Sequence, residues 1–209
     1  MEGCWKRGLR ISWYLLGPLL FYAVIHDGVW MIWDSIGVPI PAMTAAAAAG
    51  SAGLALWYRK EQLECHLLPP LSCFGVILAA AVSCIVLNHA LFAVGIAKSG
   101  YDAVKGQVYE QKLIWQMIGA GLLVPSAEEL VFRGLGYQRL RRELDVRTSA
   151  VLTAVLFGLY HGSLIQGIYA GIMGIFLALI CEHYKNLTAS WLFHAAANVT
   201  AIIMTAYGF

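Results

Sequence analysis

The chain has 209 residues, 60% of them hydrophobic and only 12% charged, and its mean hydropathy is +0.69. Soluble domains are about 45–50% apolar and about a quarter charged, so a water-soluble fold of this size has too little polar surface to cover such an interior and is excluded. The 14 basic and 12 acidic residues leave a net charge of +2, too small and too scattered for a nucleic-acid partner.

An all-α integral membrane protein is therefore expected, and its spans are read in chain order. The basic start, MEGCWKRGLR, leads into an apolar run too long for a signal peptide, with no small-residue cleavage site, so a retained first helix is expected. Apolar runs fall at 11–33, 36–58, 71–97, 113–138, 148–162, 165–182 and 187–207, each near the length that crosses about 30 Å of hydrocarbon. They predict a polytopic helical bundle of about seven transmembrane helices, with six to eight compatible with the boundaries. The fifth and sixth runs are short and joined only by His161–Gln166, which suggests a tilted hairpin whose turn is buried in protein.

No linker or repeat divides the chain, so residues 1–209 are expected to form a single membrane-embedded domain. Lys6, Arg7, Arg10, Arg59, Lys60, Arg139, Arg141, Arg142, Arg147 and Lys185 fall on the N-terminal side of this topology, against Lys98, Lys105 and Lys112 on the other. The bias places the N-terminus in the cytoplasm. The alanine run Ala45–Ala49 with Gly50, and Gly167, Gly171 and Gly174, supply small surfaces for close helix packing. Cys4, Cys65, Cys73, Cys84 and Cys181 lack the pairing of a structural zinc site and read as free thiols. Trp5, Trp13, Trp30, Trp33, Trp57 and Trp115 fit an interfacial belt, His26 with Asp27 an interfacial pair, and Asn88 and His89 interhelical hydrogen bonds.

Polarity inside the apolar runs is the functional signal, because a charge at mid-bilayer costs at least ~2.5 kcal/mol. In the fourth run, VPSAEELVFRG, Pro125 is expected to loosen the helix and Ser126, three residues before Glu129, to restart it as a capping box. Glu129 and Arg133 are one turn apart and can pair, whereas Glu128 projects about 100° away. Its carboxylate is left for general acid–base work, the bland alternative being an architectural ion network shared with Arg133. His161 lies four residues after Phe157, and His194 four before Asn198 across three alanines. At ~1.5 Å per residue, Glu128, His161, His194 and Asn198 fall in one slab of the bilayer.

The strings EELVFR, FGLYH and HAAAN, in this order on successive helices, resemble the three motifs of the CAAX protease and bacteriocin-processing family, which includes the type II CAAX prenyl endopeptidases. The resemblance covers about Pro125 to Thr200, within a catalytic core expected at about 113–207, and implies an intramembrane endopeptidase of glutamic type without a cofactor. It implies that Glu128 is the general base on a water shared with His161, that His194 and Asn198 stabilise the oxyanion, and that Glu129 and Arg133 orient the site or engage substrate. The implied setting is a bacterial plasma membrane, with a peptide precursor, bacteriocin, CAAX-like protein or membrane-protein tail as substrate and water reaching the site from the cytoplasm. Three alternatives stay open: a zinc enzyme using Glu128, His161 and His194 as ligands, a non-catalytic scaffold or immunity protein with a stable membrane partner, and a proton-coupled transporter.

Overall fold

The computed structural model describes residues 2–63, 66–93 and 108–207. Lys98, Lys105 and Cys65 lie outside them. Helix α1 spans Glu2–Ile36, α2 Ala42–Lys60 and α3 Pro70–Ala93. Helix α4 is one continuous rod assembled from Leu113–Trp115, the wider π-helical turns Gln116–Leu123, the α-helical Val124–Glu129 and a second π-helical stretch Leu130–Gln138. Helices α5, Val146–Tyr160, α6, Leu164–Tyr184, and α7, Leu187–Tyr207, complete the bundle. The seven apolar runs thus coincide with seven helical rods, and there is no strand among the described residues.

Among the described residues, four helical segments, Gly3–Ile36, Pro70–Leu91, Leu164–Tyr184 and Leu187–Tyr207, are long and apolar enough to cross a bilayer. The outer faces agree with that. Leu71, Phe74, Leu78, Val82 and Val86 form an exposed apolar stripe on α3, a surface that water penalises and hydrocarbon accepts. The protein is an integral membrane protein.

Helix α4 is the centre of the bundle, packed by α1, α2, α5, α6 and α7, while α3 lies along α7. Val131, Phe132 and Leu135 of α4 meet Phe157 of α5, Leu177 of α6 and Phe193 of α7 in the core. Helices α5 and α6 cross at glycines: a Cβ on Gly158 would stand 2.6 Å from the Gly167 carbonyl oxygen, and one on Gly167 2.9 Å from that of Gly158. No larger residue fits this crossing, which is the close packing expected of the small residues.

One end of the bundle is tied by ion pairs. Arg10 bonds Glu143 at 2.9 Å, Arg141 bonds Glu182 at 3.2 Å, and Arg139 and Arg142 each approach Glu61 to 3.8 Å. Hydrogen bonding from Arg10 holds the Glu143 carboxyl below the usual carboxylate range, so this tie is present at neutral pH and lost as pH falls through that lowered value. Asp145 caps α5 by accepting from the backbone N–H groups of Arg147 and Thr148 at 2.9 and 3.1 Å. Asn186 caps α7 through Thr188 N–H at 3.0 Å and holds the His66 backbone through both its N–H and its carbonyl.

Three local expectations are corrected. No capping box forms at Ser126: its hydroxyl donates back to Leu122 O at 2.7 Å and accepts from Trp191 Nε1 at 2.8 Å, and α4 runs on without a break. The wide turns before it absorb the proline, so no extended N-cap residue is needed. The α5–α6 turn is not buried: His161 and Ser163 are partly exposed and Gly162 fully so, because α5 has only 15 residues, about 22 Å of helix. His89 bonds within its own helix, to Ile85 O at 2.9 Å, rather than across helices, whereas Asn88 bonds Cys84 O at 2.9 Å and also interacts with Tyr169 of α6, as expected.

The His26–Asp27 pair is present at 3.0 Å. Cys4, Cys73, Cys84 and Cys181 are free.

Candidate active site

The site grows from the short α-helical stretch of α4 between its two π-helical segments. Glu129 and Arg133, one turn apart, join at 3.1 Å, both essentially inaccessible at 1% and 0% exposure. Two buried ions are best tolerated when their other valences are filled, and here they are filled in part: Glu129 Oε2 and Arg133 Nε find no hydrogen-bond partner among the described residues. Arg133 Nη2 donates to Gly174 O on α6 at 3.2 Å, and its guanidinium lies 4.4 Å from the centroid of the Phe157 ring on α5. Gly174 is required at that point, since a Cβ there would stand 3.0 Å from Ala154 and 3.3 Å from Arg133 Nη2.

The same Glu129 oxygen accepts from His194 Nδ1 on α7 at 2.9 Å. A ring that donates from Nδ1 to a carboxylate has its tautomer and orientation set, and Nε2 is turned toward Glu128, 3.6 Å from Oε2. That gap is too long for a direct hydrogen bond and short enough for a water to bridge. His194 thus stands between the two glutamates, one fixing it and the other facing it.

His161, at the C-terminus of α5, places Nδ1 2.8 Å from Phe157 O, so its Nδ1–H donates there and Nε2 is left as an acceptor. Phe157 links the two imidazoles, its ring centroid 4.8 Å from that of His161 and 5.7 Å from that of His194. The phenylalanine four residues before the histidine therefore serves twice, with its carbonyl on His161 and its face under Arg133.

Asn198 is placed elsewhere. Its Nδ2 donates to Ala120 O in α4 at 2.9 Å. In the π-helical register Val124 N–H bonds to Gly119 O, so the next carbonyl, Ala120 O, faces Pro125, which has no N–H to give. The asparagine fills the vacancy left by the proline. Asn198→Ala is accordingly expected to cost roughly 1–3 kcal/mol by orphaning a carbonyl inside the membrane. In a Pro125→Ala background, where an N–H is restored, the cost should shrink measurably in a double-mutant unfolding cycle in detergent. Equal costs in both backgrounds would refute this assignment.

The structure thus brings together Glu128, Glu129, Arg133 and His194, with His161 joined through Phe157 and Asn198 bonded to α4. The three residues of the conditional zinc set are not drawn together as one group in this arrangement. Among the described residues no three His, Cys, Asp or Glu side chains are gathered as a metal-ligating group; His161 is turned to Phe157 O and His194 Nδ1 to Glu129.

Every residue from Val131 to Tyr137 is buried, and the Tyr160–Ser163 turn beyond His161 is partly exposed; a second pocket, lined by Ser126, Glu129, Leu130, Leu187, Thr188 and Trp191, reaches Glu129 from the α7 side. Tyr22 of α1 and Tyr160 of α5 were not legible as site residues. They interact with each other and lie in the electrostatic field of Glu128. Tyr160 precedes His161, a sequence neighbour that could have drawn attention, while Tyr22 carried no signal.

Residues 110–200 match a family model described as type II CAAX prenyl endopeptidase Rce1-like. The segment is Rce1-like. All seven defining residues of the three strings, Glu128, Glu129, Arg133, Phe157, His161, His194 and Asn198, lie within it, in keeping with the resemblance drawn from them. The Rce1-like match supports an intramembrane endopeptidase of CAAX type in general; α1–α3, with Tyr22, precede the matched residues. No curated protein and no solved structure gives a significant match.

Proposed function

We propose that this protein is an intramembrane endopeptidase of glutamic type that hydrolyses a peptide bond of a membrane-associated peptide or protein. The observation that carries the reading is the buried Glu128–His194–Glu129 arrangement, in which a histidine fixed by one carboxylate faces a second across 3.6 Å. A water held beside Glu128 and His194, and shared with His161 as the resemblance implies, loses a proton to Glu128 as its oxygen bonds the scissile carbonyl carbon. The carbonyl π electrons move to oxygen. When the C–N bond breaks, Glu128 returns the proton to the leaving nitrogen, so carboxyl and amine products carry all the atoms of peptide and water.

The oxyanion needs donors. The resemblance gives that task to His194 and Asn198, but Asn198 spends an N–H on Ala120 O and His194 offers Nδ1–H to Glu129. The Tyr160 hydroxyl, which interacts with Tyr22 and lies in the field of Glu128, is a further candidate donor. Tyr160→Phe is expected to lower kcat by ~10²-fold with little change in KM; equal loss in both constants would mark a binding role instead.

The domain reading becomes a proposal too: residues 1–209 act as one membrane-embedded unit with the catalytic core at about 113–207, the N-terminus in the cytoplasm of a bacterial cell. The deciding experiment compares peptide termini in membranes carrying wild type or Glu128→Gln at matched expression. Termini produced by wild type alone establish proteolysis and name the substrate. Their absence, with both proteins folded, turns the reading to a scaffold or immunity role.

A further inference from the structure

Apart from the glutamate site, the protein holds a cavity of about 410 Å³ where α1 meets α2, lined among others by Trp30, Trp33, Asp34, Pro39, Pro41 and Gln111. Trp30, Trp33 and Asp34 are spaced i, i+3 and i+4, so they share one face of α1. The wall they form is tied in place. Trp33 Nε1 donates to Ile40 O at 3.0 Å, joining wall to floor, and the Trp30 ring lies 5.6 Å from the His26 ring.

Asp34 is the one charged residue among the described residues that line the cavity, and it makes no ion pair among them. A carboxylate beside two indoles is attractive to a cation twice over, through its charge and through the negative faces of the rings. Among the described residues no basic side chain lines the cavity. The volume falls in the range that holds a small organic ligand.

The position narrows the ligand further. Arg10 of α1 is tied to Glu143 at the ion-paired end, and Asp34 lies 24 residues on, ~36 Å along the helix. That reaches the interface on the other side of the hydrocarbon, where indoles settle beside lipid headgroups.

We propose that this cavity binds an alkylammonium group, with Asp34 as counter-ion and Trp30 and Trp33 as its aromatic walls. The source is either a zwitterionic lipid headgroup or a free amine. Two arms separate them. The full-length protein, purified in a maltoside detergent that contains no amine, is titrated by calorimetry with tetramethylammonium chloride and with phosphocholine, against sodium chloride at equal ionic strength. In parallel it is placed in nanodiscs of phosphatidylcholine or of phosphatidylglycerol, and the lipid retained after extraction is read by native mass spectrometry.

Saturable binding of the soluble cations that weakens at least about tenfold in Asp34→Asn and in Trp30→Leu supports a free-amine site. Retention of phosphatidylcholine over phosphatidylglycerol, lost in the same variants, supports a headgroup site. Neither substitution touches the glutamate site, and matched thermal unfolding checks that both variants fold. Absence of saturable binding and selective retention in wild type, or affinities unchanged by Asp34→Asn, would overturn the proposal whether or not the protein cleaves peptides.

Discussion

Glu128→Gln is expected to yield a folded, membrane-inserted protein whose cleavage rate is lower by at least ~10²–10⁴-fold, the range ascribed to a general base. The exchange is nearly isosteric, and Glu128 is not the carboxylate that pairs with Arg133. Its ionisable neighbour His194 stands 3.6 Å away, beyond direct hydrogen-bond distance, so an amide there breaks no close pair. Unfolding temperature should therefore move little while turnover disappears. Measuring both on one preparation separates chemistry from folding, and a Glu128→Gln protein that cleaves at the wild-type rate would remove Glu128 from the mechanism.

Arg133→Ala should behave in the opposite way. The guanidinium holds Glu129, Gly174 O and the Phe157 face together, so its removal strands a carboxylate that is 1% exposed and opens a cavity among four helices. Breaking a buried pair from one side costs about 3–5 kcal/mol, a large part of the 5–15 kcal/mol by which domains are stable. Yield and unfolding temperature should fall sharply before any kinetic question arises. Removing both charges with Glu129→Gln/Arg133→Met should be milder than Arg133→Ala, because no lone charge remains; double-mutant unfolding in detergent reads that difference. A stable Arg133→Ala protein would show that Glu129 finds its counter-charge elsewhere.

The spans were legible because hydrocarbon imposes a length and a polarity on every helix, and the apolar runs and the rods coincide. The Glu129–Arg133 pair was legible because neighbours at i and i+4 meet whatever else the chain does. The task of Asn198 was hidden for a definite reason: its partner carbonyl is orphaned only when α4 takes the wider register ahead of Pro125, and no local pattern announces that choice. Ser126 misled because a capping box presupposes a helix that begins there. Tyr22 lay in the part of the chain where no motif directs attention, and it reaches the field of Glu128 only through the packing of α1 on α2 and α4.

The two wide stretches of α4 have a mechanical meaning. A π turn accommodates one residue more than an α turn, so it acts as an insertion stored within an unbroken rod. Val124–Glu129 sits between two such reserves. Passing one residue from either reserve into ordinary α winding would rotate the carboxylate pair by ~100° without fraying an end. The phase of Glu128 relative to His194 is therefore set by how the slack is shared, which gives the bundle a screw adjustment at its centre.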